Sequence, residues 1–322
     1  MPYAIEQKIV GLGKESSRGV AVDPTRFIAV APDTEFEYKL NLLEDELVRG
    51  IFEKFPPSPG TKEGSGRLAG IEVTSENCGE LFLSLLGKVV TDQPDDVNAP
   101  NVYRHIFTRS PLDIRMPSYT FHIYRGLGAK RYPLSVVKSI TLNGAVDGKL
   151  TLEAEVLFKT EEASDFDFST VSWEDPKPFM FYHTKVYFDD VLDENVKDWS
   201  ITIDNGSVVQ RALIGSQDIK DIVTFAKLLV NGTMNIYFES EAQRNKFLSN
   251  SAVSLKIELI GSELEGGINR KLVITLPEIH YTAFPFGDLD GLLGASVSFN
   301  AYYKLTAGKT IEIELVNMVS SY

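Results

Sequence analysis

The sequence is poor in cysteine, histidine and long apolar runs, and each shortage excludes a class of protein. Cys78 is the only cysteine in 322 residues, so an intramolecular disulfide cannot form. Four histidines leave little material for a structural zinc site. No apolar run approaches the roughly 20 residues that span a bilayer, and residues 1–9 lack the apolar region of a secretory signal.

The chain is also short of positive charge. It has 32 Lys and Arg against 45 Asp and Glu, which gives a formal net charge of -13. Proteins that coat nucleic acid need clustered Lys and Arg to bind phosphates, so this composition disfavours such a role. It allows an acidic surface past which DNA moves without binding. Hydrophobic residues at 43% and charged residues at 24% are typical of a globular chain.

Motifs for catalysis and cofactor binding are not found. Gly11, Gly13 and Lys14 lack the spacing of a phosphate-binding loop. Cys78 lies at the start of a predicted helix, which would lower its pKa, but no base partner can be named and a structural role is expected. The four histidines lie in strand-like stretches, where we expect them to pack and form hydrogen bonds: His105, His122, His183 and His280. We therefore predict no enzyme activity, cofactor or metal.

Alternation of apolar and polar residues dominates the chain and predicts antiparallel strands with one wet face. The predicted strands are residues 36–40, 71–73, 103–107, 119–124, 150–156, 185–188, 199–203, 234–238, 253–259, 271–276, 297–302 and 310–315. Two helices are predicted from capping boxes, one at Asn77 and Glu80 and one at Ser240 and Gln243. Residues 218–229 are either a third helix or a turn that leads into a strand.

Equivalent elements recur at a nearly constant offset. Asn77 and Ser240, like Phe36 and Trp199, are 163 positions apart, and Glu153 matches Glu312 at an offset of 159. Such an offset indicates an internal duplication. Residues 160–169 are acidic and precede Pro176 and Pro178, which suggests a linker between two domains. We predict an N-terminal arm at 1–34, a first domain at 35–170 and a second at 171–322.

Two irregular loops are candidate contact sites. Residues 55–66 are rich in Pro and Gly, so we expect no strand there. Residues 283–294 are apolar as well as irregular, and they form either an exposed contact surface or a loop packed on its own core. The candidates in the first loop are Phe55, Pro56, Pro57, Pro59, Lys62 and Glu63. Those in the second are Phe284, Phe286, Leu289, Leu292 and Leu293.

The order of several short motifs resembles the tail tube proteins of long-tailed bacteriophages, in their long, two-part form. Residues 78–87 are similar to the Gly-x-Leu-Leu-x-x-x-Leu-Gly helix of that family, and residues 11–21, followed by Pro24 and Thr25, look like its opening. Other resembling stretches are residues 48–50, 136–142, 199–205, 276–279 and 311–317. The stretch 283–294 matches no motif of the family.

This resemblance implies a mainly β fold of two tandem antiparallel β-sandwich tube domains, each with a flanking α-helix. Subunits of the family form rings that stack into a hollow tube, and the inner sheets of neighbours join into a barrel through which DNA passes without specific binding. Two tube domains per chain imply trimeric rings. The connector at 55–66 would reach the adjacent ring and become ordered there.

The resemblance also implies other tail proteins, such as the tape measure and the tube terminator, as partners. It places the protein in the virion tail after synthesis in the host bacterial cytoplasm, with no membrane association. A second hypothesis is a β-sandwich tail component that binds carbohydrate or a receptor, for which Phe284, Phe286, Tyr302 and Tyr303 are the candidate aromatics. A third is a β-sandwich hydrolase, for which no catalytic constellation is found.

Overall fold

The computed structural model describes residues 7–173, 177–211 and 214–322. Within these ranges the chain forms 21 β-strands and two α-helices, so the prediction of a mainly β fold is confirmed. The strand pairings in the described residues are antiparallel, as the alternation predicted. The weak helix candidate at 218–229 is a strand, because the alternating residues of 219–224 pair with a neighbouring strand.

Eight strands form one continuous ladder, which we call the central sheet. In spatial order they are β3 (Glu35–Leu43), β4 (Ser58–Glu72), β9 (Thr151–Phe158), β8 (Ala129–Ala145), β13 (Val196–Asp204), β16 (Leu229–Tyr237), β20 (Leu292–Ala301) and β19 (Phe286–Leu289). The first four strands form the first four-strand unit, and the last four form the second. The two units meet where β8 pairs with β13.

Two further ladders flank the central sheet. The first consists of β2 (Arg26–Ile28), β1 (Lys8–Lys14), β7 (Tyr119–Arg125), the beginning of β8, and β10 (Glu162–Ser164). The second consists of β12 (Val191–Asp193), β11 (Thr184–Phe188), β17 (Val253–Glu265), β18 (Ile268–Ala283), β21 (Glu312–Asn317), β6 (Tyr103–Arg109) and β5 (Gly87–Asp92). The last residues of β18, 279–283, also pair with β20 of the central sheet, on the side of β20 that β19 occupies. A separate hairpin joins β14 (Ser207–Arg211) to β15 (Ile219–Thr224).

Aromatic side chains join the central sheet to the first flanking ladder. Phe36 of β3 stacks on Phe158 of β9 at 5.6 Å between ring centroids. The same ring lies 5.4 Å from Phe121 and 5.1 Å from Tyr132. On β9, Leu152, Ala154, Val156 and Phe158 are buried while the intervening residues are more exposed, as period-two alternation requires. One face of the sheet therefore forms the core.

The two predicted helices exist, but their caps differ from the prediction. Helix α1 (Gly79–Leu86) begins after Cys78 without a side-chain cap, and the Asn77 Oδ1 instead accepts a hydrogen bond from the Thr74 amide. Gly87 ends α1 in the left-handed conformation at φ 88°. Helix α2 (Ala242–Leu248) follows Glu241 rather than Ser240. The proposed capping boxes are therefore wrong, because Glu80 and Gln243 do not bond back to the cap amides and instead accept hydrogen bonds from the Tyr119 and Tyr281 hydroxyls.

The helices also differ in burial. Seven of the eight residues of α1 are buried, whereas α2 has no buried residue.

The same pairing pattern occurs twice along the chain. In β9, Ala154, Val156 and Phe158 face the core, and Ala295, Val297 and Phe299 do so in β20. Strand β20 therefore takes the place of β9 in the second unit. The match of Glu153 to Glu312 was wrong, because Glu312 belongs to β21, which pairs with β18 and β6 instead of the central sheet.

The segments predicted to be an N-terminal arm (1–34) and an inter-domain linker (160–169) both contain strands of the first flanking ladder. Strand β1, within residues 1–34, pairs with β7 over seven residues, so this segment is built into the first flanking ladder. In the acidic stretch 160–169, β10 pairs with β8 and Phe168 is buried. Pro178 lies in the described chain, whereas Pro176 lies outside the described residues.

Candidate assembly surfaces

The two ends of the central sheet are free edges. Within the described residues, β3 pairs only with β4, and β19 pairs only with β20. Apolar side chains are exposed at both ends, with Leu40 of β3 at 44% and Phe286 of β19 at 42%. An unpaired edge exposes amide and carbonyl groups that bind another strand, so these edges are candidate contact sites.

The hairpin that joins β3 to β4 carries the most exposed apolar residues of this region. Residues 44–57 form its tip, which contains Leu47, Val48, Ile51, Phe52 and Phe55. The side chains of Val48 and Phe52 are fully accessible, at 96% and 111%. Of these tip residues only Phe55 was a candidate from the sequence, although the apolar pairs 42–43, 47–48 and 51–52 without alternation were a signal of exposure.

The prediction that residues 55–66 contain no strand is wrong from Ser58 onwards. Pro59, Lys62 and Glu63 lie in β4, which pairs with β3 from Leu43 to Glu35. A proline at the beginning of a strand is tolerated because few ladder bonds are lost there. Phe55, Pro56 and Pro57 lie in the exposed tip, as expected for an irregular loop.

The base of this hairpin is fixed to the β14–β15 hairpin. The Lys62 amide donates to the Gln217 carbonyl at 2.9 Å, and Arg211 Nη1 donates to the Lys62 carbonyl at 2.7 Å. Arg211 also forms an ion pair with Glu63. These contacts hold the base of the hairpin, while the tip extends beyond them into solvent.

The apolar stretch 283–294 forms the β19–β20 hairpin, turned by Asp290 and Gly291 at positive φ. Part of this loop packs on the core and part is exposed, and its role as a contact surface stays a prediction. Phe284 is buried beside Phe247 of α2, with 6.1 Å between ring centroids, so this end packs on its own core. Phe286, Leu292 and Leu293 remain exposed, whereas Leu289 is partly buried.

The solvent face of the central sheet is mainly acidic and polar. In the first unit it carries Glu35, Glu37, Lys39, Glu63, Arg67, Lys138, Glu153 and Glu155. In the second it carries Asp198, Ser200, Thr202, Asp204, Asn231, Thr233, Asn235, Ser296, Ser298 and Asn300. Arg67 pairs with Glu153 at 2.8 Å and Lys138 with Glu155 at 3.2 Å. Most of the positive charge is therefore neutralised, and carboxylates remain.

The histidines are engaged in the hydrogen bonds of the fold. His105 Nε2 donates to the Val319 carbonyl at 2.8 Å, and His122 Nε2 donates to the Val22 carbonyl at 2.8 Å. Burial lowers the pKa of both imidazoles, which favours their neutral forms. His183 accepts from the Met180 amide, and His280 contacts Asn250.

Cys78 is fully buried, and burial raises the pKa of its thiol. The expected lowering at a helix N-terminus is thus wrong, because desolvation opposes formation of the thiolate. Among residues 7–173, 177–211 and 214–322, no group of three His, Cys, Asp or Glu could hold a metal ion. No helix in those ranges is long and apolar enough to cross a membrane.

The aromatics proposed for sugar binding are not equally available. Phe284 is buried, and the ring of Phe286 contacts Phe238 at 4.7 Å and the Arg244 guanidinium at 5.2 Å. Tyr302 and Tyr303 are exposed. Because stacking on a sugar needs an accessible ring face, Phe284 does not serve this purpose in the described structure.

A model of the protein family described as phage tail tube protein matches residues 6–301. No curated protein matches the chain.

Proposed function

The chain belongs to the phage tail tube protein family, and on this basis we propose that it polymerises into stacked rings that form the hollow tube of the phage tail. It is a structural protein of the virion tail. The observation that best supports ring formation is the central sheet, which has two free edges at opposite ends. Such a sheet removes both edges when copies join end to end and close.

The ring is proposed to be a trimer. The central sheet contains two four-strand units with the same order of pairing, joined within the chain by β8 and β13. Three chains then supply six similar units. We attribute the repetition to duplication of one β-sandwich domain with a flanking helix, with the first domain at 35–170, the second at 171–322 and an N-terminal segment at 1–34.

The acidic solvent face of the central sheet is proposed to line the lumen. Carboxylates such as Glu37, Glu153 and Glu155 repel phosphates, so DNA passes without binding. The exposed hairpin tip at 44–57 is proposed to contact the next ring. Its apolar residues lose their exposure to water when a neighbouring chain covers them.

Further proposed partners are the tape measure and the tube terminator, which contact the inside and the end of such a tube. Synthesis is proposed to occur in the host bacterial cytoplasm. This role requires neither an active site nor a cofactor.

Electron microscopy of the purified full chain over a concentration series tests the proposal. We expect rings with three-fold symmetry and, at higher concentration, tubes with a central channel. A monodisperse monomer at every concentration would contradict the proposed assembly. Rings of six full-length chains would contradict the trimer, since only one four-strand unit would then line the barrel.

A further inference from the structure

The chain contains an internal joint between its two four-strand units. Strand β8 pairs with β13 over seven residues, from Ser139 opposite Asp204 to Ala145 opposite Asp198. Ile140 and Ile203 lie opposite each other in this joint, and both are fully buried. On the solvent face, the Thr141 and Thr202 hydroxyls are 3.0 Å apart. This joint shows how an edge of the first unit accepts an edge of the second.

A glycine and a phenylalanine fix the correspondence between the units. Gly64 lies opposite Phe158 and Tyr38, and Gly232 lies opposite Phe299 and Ile201. A Cβ atom at either glycine would come within 2.4 Å of the opposite Phe ring. Tyr38 therefore corresponds to Ile201.

Counting two residues along the strands, Leu40 of β3 corresponds to Ile203 of β13.

The residues that correspond at the other edge are found from the same two phenylalanines. Ala154 lies four residues before Phe158 in β9, and Ala295 lies four residues before Phe299 in β20, so the two alanines correspond. Ala154 lies opposite Ile140, and Ala295 lies opposite Phe286. Phe286 therefore occupies the position of Ile140. The buried pair of the internal joint, Ile140 and Ile203, thus corresponds to Phe286 and Leu40, which are exposed at the two free edges.

We propose that β19 of one chain pairs antiparallel with β3 of a second copy, in the register of the internal joint. Phe286 then lies opposite Leu40, Gly287 opposite Lys39, and Leu289 opposite Glu37. This inference rests on the proposed ring assembly and adds the residue pairs that form the contact between chains.

The chemistry of the two edges fits this register. Phe286 and Leu40, which are about equally exposed in the single chain, bury each other as Ile140 and Ile203 do. Gly287 leaves room for the side chain of Lys39 on the solvent face, and Asp288 lies opposite Tyr38 on the other face. The acidic Glu37 meets Leu289 rather than another carboxylate.

Disulfide cross-linking tests the register. The test chain carries Leu40→Cys and Phe286→Cys, and the matched control carries Leu42→Cys and Phe286→Cys, a shift of two residues along β3. All three positions are exposed, so folding is retained, and a melting curve of each variant verifies this. Cys78 is buried and does not compete. Residues 40 and 286 of one chain are separated by seven strand spacings, roughly 34 Å along the sheet, so a bond within one chain is excluded.

After mild oxidation of assembled protein, we expect the test chain to form covalent dimers and trimers on a non-reducing denaturing gel, with no larger species. The control should give less than about one tenth of that yield, because a shift of two residues separates the sulfurs beyond bonding distance. Mixed chains that each carry one of the two test cysteines should give dimers only.

The outcomes separate the inference from the proposed function. Tubes that form while the control cross-links as well as the test chain, or while neither does, would overturn the register and leave the tube role standing. Absence of both assembly and cross-links at every concentration would overturn both. A ladder of bonds that continues past the trimer would support the register but contradict the trimeric ring.

Discussion

Arg18, in the segment after β1, forms an ion pair with Asp221 of β15, with 2.7 Å between Nε and Oδ1. Arg115 approaches the other oxygen of the same carboxylate at 2.9 Å. Burial opposes ionisation of Asp221, but hydrogen bonds from Arg18 and the Ile222 amide outweigh it and lower the pKa. This pair joins the beginning of the chain to the β14–β15 hairpin across 203 positions.

We expect Asp221→Asn to reduce the free energy of unfolding by about 1.5–3 kcal/mol at pH 7, because two guanidinium groups lose a charged acceptor. Because the pKa of Asp221 is lower in the folded chain, this stabilisation is fully present at pH values above the unfolded-state pKa, near 3.9. It is lost as the pH falls through the folded-state pKa. Urea unfolding measures the loss. The matched control is Asp96→Asn at an exposed site, and an equal loss there would contradict the role of the ion pair.

The glycines opposite the phenylalanines give a second prediction. Gly64→Ala and Gly232→Ala should each destabilise the chain by about 1–3 kcal/mol, because the added methyl group meets a Phe ring and nearby carbonyl oxygens. Gly128→Ala is the control, since no atom lies within 4 Å of its Cβ position. The melting temperatures of the three variants, compared with that of the unchanged chain, test this prediction. A stable Gly232→Ala variant would mean that the second unit does not share the packing of the first.

The buried histidines predict a dependence of stability on pH. Because burial lowers the pKa of His105 and His122 in the folded state, protons bind preferentially to the unfolded chain. These two histidines should not affect the free energy of unfolding above pH 6.5. At pH values below 6.5 they should lower it. The loss is about 1.4 kcal/mol per pH unit for each histidine until the folded pKa is reached.

Urea unfolding at pH 7.5 and pH 5.5 checks this. His105→Gln and His122→Gln should each reduce the difference between the two pH values, while His280→Gln, at a partly exposed site, serves as the control. If the His105 and His122 variants keep the full pH dependence, other groups cause it.

The hairpin tip gives a prediction about stacking. Val48→Ser with Phe52→Ser should leave the melting temperature of the single chain nearly unchanged, because both side chains are fully exposed. The same variant should form rings but few or short tubes, since contacts between rings are weak individually and act through repetition. Tube length by electron microscopy is the measurement.

The control for this experiment changes two other exposed leucines, Leu112→Ser with Leu127→Ser. Tubes of normal length from the Val48 and Phe52 variant would show that the tip is a passive connector. Short tubes from both variants would indicate a general loss of surface hydrophobicity rather than a specific contact.

Much of the fold could be predicted because strand alternation and helical spacing are local. Residues 150–156 predicted β9, and the spacing of Asn77 and Glu80 predicted a helix at α1. Both elements exist. Short strands such as β2, β10 and β12 were missed, because three residues carry too little periodicity. The strand that begins at Ser58 was missed because Pro and Gly favour turns, whereas pairing with β3 overrides that preference.

The candidate assembly surfaces, like the fold, could be predicted from the sequence only in part. The sequence by itself determined the acidic charge, the antiparallel strands and the presence of two apolar or irregular stretches at 55–66 and 283–294. Only the tertiary structure decided that Phe284 is buried and Phe286 exposed, that Phe299 corresponds to Phe158, and that β3 and β19 lie at opposite ends of one sheet. Residues on one strand reveal which face is apolar, but the choice of neighbour depends on contacts between residues far apart in sequence, and no local pattern encodes those.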